Sequence, residues 1–287
     1  MLEIMVDVEN QLGECVLWCE RSGRVLWTDI LGATLHAHDV ATGKTSNWTM
    51  PEPLASFALT GNDDRLLLGL ASQLAFFDFS TGAVTSICAV ETGLTTRLND
   101  GRCDRQGRFV FGTFNMAEPR APIGSYYRLG AELKLERLPL PGCAIANSIC
   151  FSPDGATMYY CNSPDRAIRC CDYDVQSGAI SNDRVFVALD GEVGEPDGSC
   201  IDAEGYLWSA QWGASRVVRY TPQGAVDRVL ETPSLQPSCV TIGGADLNRL
   251  FVTSARVGMS EPAVHDGALF HSLLHDVRGL AESRFIS

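Results

Sequence analysis

Apolar residues along this chain come in short runs, broken by Gly, Asp, Asn, Ser and Pro. No window longer than about a dozen residues carries the 3.6-residue period of an amphipathic helix. Runs of this kind read as short strands joined by turns. Six segments share one plan: a polar opening, an apolar strand, an Asp/Gly turn, a second strand rich in aromatics, and a third strand after a further gap. The openings are Gly13-Glu14, Ala55-Ser56, Asn99-Asp100, Asn147-Ser148, Asp197-Gly198 and Pro237-Ser238. With Glu14, Ser56, Asn99, Asn147, Asp197 and Ser238 as equivalent positions, the intervals are 42, 43, 48, 50 and 41 residues.

Second strands are expected at Val25–Asp29, Leu66–Leu70, Phe109–Thr113, Thr157–Cys161, Tyr206–Ala210 and Arg249–Ser254, each after a turn such as Ser152-Pro153-Asp154-Gly155. Third strands follow at Leu35–Asp39, Leu74–Phe79, Ser125–Leu129, Ile168–Tyr173, Arg216–Thr221 and Ala268–Ser272. A period of roughly 40 to 50 residues with four short strands per unit is the signature of a β-propeller. The expected fold is therefore all-β: a six-bladed β-propeller with four antiparallel strands per blade, residues 1–287 forming a single domain. A pair of β-sandwiches leaves the six regular openings unexplained.

Composition supports a globular chain, 45% hydrophobic and 20% charged, with 27 Gly and 13 Pro to serve many turns. The net charge of −13 argues against nucleic acid or an anionic membrane surface as partner. The N-terminus shows no basic region followed by an apolar one, so no signal peptide is expected. The most apolar run, Leu66–Phe79, is too short and interrupted to span a membrane. Eleven cysteines without a Cys-x-x-Cys pair suit a reducing compartment. The expectation is a cytoplasmic protein, monomeric, acting on a small molecule.

In a propeller the innermost strand of each blade lines a central channel, so equivalent positions of different repeats meet in space. Glu14, Asn147 and Asp197 would then present two carboxylates and an amide oxygen. These are hard donors suited to Ca²⁺, Mg²⁺, Mn²⁺ or Fe²⁺ and tolerable for Zn²⁺. Three protein ligands leave positions open for water and substrate. The same residue types also open turns, and Glu195-Pro196-Asp197-Gly198 reads as a tight acidic turn before a strand.

The segments Leu12-Gly13-Glu14 with Trp18, Arg97-x-Asn99-Asp100-Gly101, Asn147 ahead of Phe151-Ser152-Pro153-Asp154-Gly155, and Pro196-Asp197-Gly198 together resemble one family. It is the gluconolactonase/regucalcin (senescence marker protein) family of six-bladed propeller sugar lactonases. The resemblance runs in order over essentially the whole chain and extends to Phe251–Ala255 and Gly267–Phe270. It implies one divalent metal cation (Fe²⁺, Zn²⁺, Mn²⁺ or Ca²⁺) on Glu14, Asn147 and Asp197, and sugar hydroxyls held by Arg97 and Asn99. Asp100 lies beside them, and Glu118 is the nearest match to a further substrate-binding glutamate. Where the family has Gly-Pro after the metal glutamate, this chain has Cys15-Val16.

The activity implied is the opening of an aldono-1,5- or 1,4-lactone to the aldonic acid, xylono-lactone first and glucono-lactone second. The metal would polarise the carbonyl or activate water, Asp197 would accept the water's proton, and Arg97 would stabilise the new negative charge. Two other readings stand beside it: an ester or phosphotriester hydrolase on the same scaffold, and a non-enzymatic calcium-binding or interaction propeller. There is no Gly-x-Ser-x-Gly elbow, P-loop or His-Glu-x-x-His. Trp27 and Trp208 read as blade packing, and His36 and His38 as polar residues of one strand rather than a zinc pair. Phe114 and Met116, with the loop Ala117–Gly124, form a candidate pocket wall.

Overall fold

Within each blade neighbouring strands pair antiparallel, giving six four-stranded sheets. A computed structural model describes residues 2–286. Blade 1 holds β2 (Gly13–Cys19), β3 (Arg24–Asp29), β4 (Thr34–Asp39) and β5 (Thr45–Thr49). Blade 2 holds β6 (Leu54–Leu59), β7 (Arg65–Leu70), β8 (Gln73–Asp78) and β9 (Val84–Ala89). Blade 3 holds β10 (Thr96–Cys103), β11 (Phe109–Asn115), β12 (Tyr126–Leu129) and β13 (Leu135–Arg137). Blade 4 holds β14 (Ala146–Phe151), β15 (Thr157–Asn162), β16 (Ala167–Tyr173) and β17 (Ile180–Ala188). Blade 5 holds β18 (Glu195–Ile201), β19 (Leu207–Trp212), β20 (Arg216–Tyr220) and β21 (Val226–Glu231). Blade 6 runs β22 (Pro237–Gly243), β23 (Arg249–Ser254) and β24 (Leu269–Leu273), and its outermost strand is β1 (Glu3–Val6) from the start of the chain.

The innermost strands β2, β6, β10, β14, β18 and β22 pack one on the next, and β22 returns to β2, so the blades close into a ring. The six-bladed propeller is confirmed. Among the described residues the only helical segment is the single 3₁₀ turn Ser163–Asp165, and no helix is long and apolar enough to cross a membrane.

Burial explains which strands were legible. Strands β2, β6 and β22 are buried along their whole length. The second strands carry the large blade-filling side chains: Trp27, Trp208, Phe109 and Phe251 are all fully buried, each contributing roughly 1.5–3 kcal/mol. The outermost strands β9 and β21 are largely solvent-facing, so they lack the apolar alternation that marks the inner ones. All eleven cysteines are free, and ten are buried as small apolar residues.

The expected turn at Glu195–Gly198 is instead the start of β18, interrupted by a bulge between Pro196 and Ser199. The cause is packing rather than chain reversal. A Cβ on Gly198 would meet Cys239 Cα at 2.8 Å, so glycine is needed for the approach of blade 5 to blade 6. Equivalent register shifts fall at Glu14/Leu17, Leu54/Ser56, Leu98/Gly101, Asn147/Cys150 and Pro237/Val240. A bulge leaves one residue out of the ladder and re-aims its side chain. Six of them at one level of the ring turn a set of strand residues toward a common axis.

The segment after β24 crosses the end of the ring where the turns between first and second strands lie. Arg278 O accepts from Ala203 N at 2.8 Å, Gly279 N donates to Leu247 O at 2.6 Å, Phe285 N donates to Leu59 O at 2.7 Å, and Ile286 N donates to Gly107 O at 3.1 Å. Arg284 adds ion pairs to Glu20 and Asp63. Glu282 reaches Arg102 of β10 at 3.7 Å, with both side chains nearly buried. This strap therefore ties blades 1, 2, 3, 5 and 6 together.

Candidate active site

The bulges bring Glu14, Arg97, Asn99, Asn147 and Asp197 together as buried polar residues, with Asp100 partly buried beside them. Two bulges contain a non-glycine residue in the left-handed region, Cys15 at φ 46° and Ser148 at φ 58°. Each such residue costs on the order of 1–3 kcal/mol, and such strain collects at functional sites. Cys15 follows Glu14, and Ser148 follows Asn147. The turn of backbone that each supplies is what sets the preceding side chain.

Neighbouring blades hold these kinked segments in place. Cys15 Sγ accepts from Phe57 N at 3.2 Å and lies 3.6 Å from Phe57 O. Its thiol is buried and its pKa is pushed well up by desolvation, so Cys15 is a protonated packing residue with little thiolate to oxidise. Ser148 Oγ donates to Asp197 O at 2.6 Å, and Ser199 Oγ donates to Ser148 Oγ at 2.9 Å. Ser238 Oγ bonds Gly13 O, joining blade 6 to blade 1.

Asn99 Nδ2 donates to Asn147 Oδ1 at 3.0 Å and to Ala146 O at 2.9 Å. Asn147 Nδ2 donates to Ser163 Oγ at 2.9 Å, and Ser163 Oγ donates to Pro196 O at 2.8 Å. Asp100 Oδ2 accepts from Ile149 N at 2.7 Å. Arg97 Nη1 donates to Asn99 Oδ1 at 2.6 Å and to Leu98 O at 2.8 Å, with its guanidinium 4.3 Å from the Phe114 ring centroid. That stacking places the Phe114 ring against Arg97.

The electrostatics are those of an acidic site short of positive charge. Burial, then the Asp100 charge, raises the Glu14 pKa to about 8. Burial, then the Glu14 charge, pushes Asp197 well above the usual carboxylate range. Asp100 is raised to about 6, chiefly by burial. Burial also lowers Arg97 to about 10, against the pull of Glu14 and Asp197. Asp197 Oδ1 is buried and receives no N–H or hydroxyl donor; the hydrogen-bonding neighbour of this side chain is the Glu14 carboxyl, and a buried carboxylate oxygen is costly unless something cationic or hydrogen-bonding meets it.

Among the described residues, no group of three or more His, Cys, Asp and Glu side chains has metal-binding geometry. Here the third donor is an amide. Two neighbouring carboxylates, one of them with its Oδ1 free of N–H and hydroxyl donors, and an amide oxygen form a donor set that fits a hard divalent cation.

Glu118 is not drawn into this group. It lies on the loop after β11, where its largely exposed carboxylate pairs with Arg120 at 2.7 Å. Ser163, which orients Asn147, was not found from sequence; a serine opening a Ser-Pro-Asp turn carries no signal of such a role. Trp27 and Trp208 are blade packing, and His36 stacks on Trp27 at 4.8 Å rather than pairing with His38 at a metal.

The chain matches the SMP-30/Gluconolactonase/LRE-like region over residues 12–256. It belongs to that family. An L-arabinolactonase of Azospirillum brasilense is 49% identical, covering 98% of this chain and 94% of that protein. A 6-deoxy-6-sulfogluconolactonase of Pseudomonas putida is 32% identical, covering 99% and 98%. A solved calcium-binding protein, regucalcin, from Agrobacterium tumefaciens superposes with a TM-score of 0.92 at 31% identity, covering 98% and 96%. The family expected from the motifs is borne out, and with it the expectation of a sugar lactonase.

Proposed function

We propose that this protein, acting as one propeller domain, is a metal-dependent sugar lactonase opening aldonolactones to aldonic acids. Glu14, Asn147 and Asp197 hold one divalent cation, and Arg97, Asn99, Asp100 and Glu118 bind the sugar. The observation that carries this reading is the convergence of the three oxygen donors at kinked strand positions beside Arg97 and Asn99, with Asp197 Oδ1 free of N–H and hydroxyl donors. The 49% identity to an arabinolactonase favours a pentono-lactone over a hexono-lactone.

When bound, the cation supplies Lewis-acid polarisation of the carbonyl or acidification of water. Asp197, ionised in the cation-loaded site, accepts the proton of the attacking water. Arg97 stays cationic, since even the lowered value of about 10 lies above neutral pH, and it faces the carboxylate that ring opening creates. Its bonds to Leu98 O and Asn99 Oδ1 and its stacking on Phe114 fix it before substrate arrives. Preorganised charge of this kind needs no rearrangement as the reaction proceeds.

The test is hydrolysis of freshly prepared pentono- and hexono-lactones by chelated protein, repeated after adding Fe²⁺, Zn²⁺, Mn²⁺ or Ca²⁺ singly. Activity that disappears on chelation and returns with a divalent ion supports the reading. Full turnover by the chelated protein, or by Asp197→Ala, would sink it.

A further inference from the structure

Beyond the buried set lies a charged feature that the chemistry above leaves unused. Arg120 stands on the loop after β11 with its guanidinium carbon 5.2 Å from the Phe114 ring centroid, the same ring on which Arg97 stacks at 4.3 Å. The two guanidinium groups are close enough for their like charges to repel. Arg120 is half-exposed and pairs through Nη2 with Glu118 Oε1 at 2.7 Å.

Stability does not account for the pair. Exposed ion pairs contribute little to folding, and other groups hold this loop. Buried Asn115 donates from Nδ2 to Ala121 O at 2.8 Å and accepts at Oδ1 from Ala117 N at 2.9 Å, clamping both ends of the segment that carries Glu118 and Arg120. The clamp presents the pair as a fixed rim element. A guanidinium lying on an aromatic ring keeps its edge N–H groups free for a ligand, in a planar fork that suits paired oxygens. With the Glu118 carboxylate alongside, the rim offers both donors and acceptors, the complement of a chain of hydroxyls.

We infer that Arg120 is a specificity-determining residue which, with Glu118, forms a subsite for the exocyclic polyol end of the lactone, outside the ring held by Arg97 and Asn99. The inference rests on the lactonase reading and extends it to the part of the substrate remote from the reacting carbonyl. A site built to hydrogen-bond hydroxyls discriminates strongly against an analogue that lacks them, so chain length beyond the ring becomes the readout.

The experiment measures kcat and KM of wild type, Arg120→Ala and Arg120→Lys, with divalent cation present, on tetrono-, pentono- and hexono-1,4-lactones. The tetrono-lactone keeps the ring hydroxyls and has no exocyclic carbon. Arg120→Ala is expected to lower the hexono-to-tetrono ratio of kcat/KM by about tenfold, carried by KM. Arg120→Lys should recover only part of it, because an ammonium lacks the planar fork. A ratio that Arg120→Ala leaves unmoved, or a uniform loss across all three lactones, overturns the inference alone. A wild type that hydrolyses none of them overturns the lactonase reading and the inference together.

Discussion

Asn99 donates its Nδ2 hydrogen to Asn147 Oδ1 at 3.0 Å, so a proposed substrate residue of blade 3 orients a proposed metal ligand of blade 4. Ser163 accepts the other end of the Asn147 amide at 2.9 Å. Between them the amide has one permitted orientation, with its oxygen at the site. Removing an outer partner of a metal ligand typically costs 10–100-fold in affinity or activity, so Asn99→Ala is expected to weaken divalent-cation binding by roughly tenfold. Calorimetric titration of the chelated protein measures this directly. Binding as tight as wild type would mean that Asn99 serves the sugar only.

The carboxylates at the site are costly to the metal-free fold. Asp197→Asn keeps the shape of the side chain and removes an acid whose ionisation burial and Glu14 oppose, so at neutral pH the chelated variant should melt at a higher temperature than chelated wild type. Turnover should fall by more than the roughly 10–100-fold typical of an outer-shell change. Opposite signs for stability and activity are the expected pattern, checked by thermal denaturation and lactone hydrolysis on the same preparation. A variant that is both less stable and fully active contradicts it.

Stability of the chelated protein should depend on pH with a defined sign. Burial and the Asp100 charge raise Glu14 from 4.5 to about 8, so the folded state binds its proton more tightly than the unfolded state does. The stabilisation from this group is complete below pH 4.5 and is lost as the pH rises towards 8. The melting temperature of chelated protein should therefore decline between about pH 5 and 8. Saturating divalent cation should flatten or reverse the slope, because it binds the ionised form. An identical profile with and without cation would remove Glu14 from the donor set.

Phe285 anchors the strap. It is 1% exposed, pairs through its backbone with Leu59, and lies against the blade 2–3 core that contains Leu67, Leu98 and Phe109. Truncating a buried phenylalanine costs about 3–5 kcal/mol, so Phe285→Ala should lower the urea midpoint without altering the slope of the transition. A midpoint unchanged within error would show that the ring holds together without this anchor.

The inner half of every blade was legible because its strands are apolar and recur at a fixed interval. Arg249–Ser254 was found to the residue, and Thr157–Cys161 to within one. The fourth strands gave no such signal: β17 exposes most of its length and buries only Val187. Strand β1 was invisible for another reason, since its partner β24 lies at the far end of the chain and no local pattern announces it. At the site, repeat position and motif together brought out Glu14, Asn147 and Asp197. Pro196-Asp197-Gly198 was misread because a bulge and a turn draw on the same residue types. Ser163 and Arg120 depend on loop geometry that no spacing rule encodes.

Glu3 faces His271 across the seam of blade 6, so the ring is sealed by a pairing between opposite ends of the polypeptide. During synthesis, blades 1 to 5 can each assemble from contiguous sequence as it emerges. The sixth has to wait, with β1 already made and β24 still to come. Its closure is the costliest loop in the molecule, and until it happens two strand edges stand open to other chains. Blade 6 stands between the blades that carry Glu14 and Asp197, so the two carboxylates proposed as metal donors come into final register only when that seam shuts.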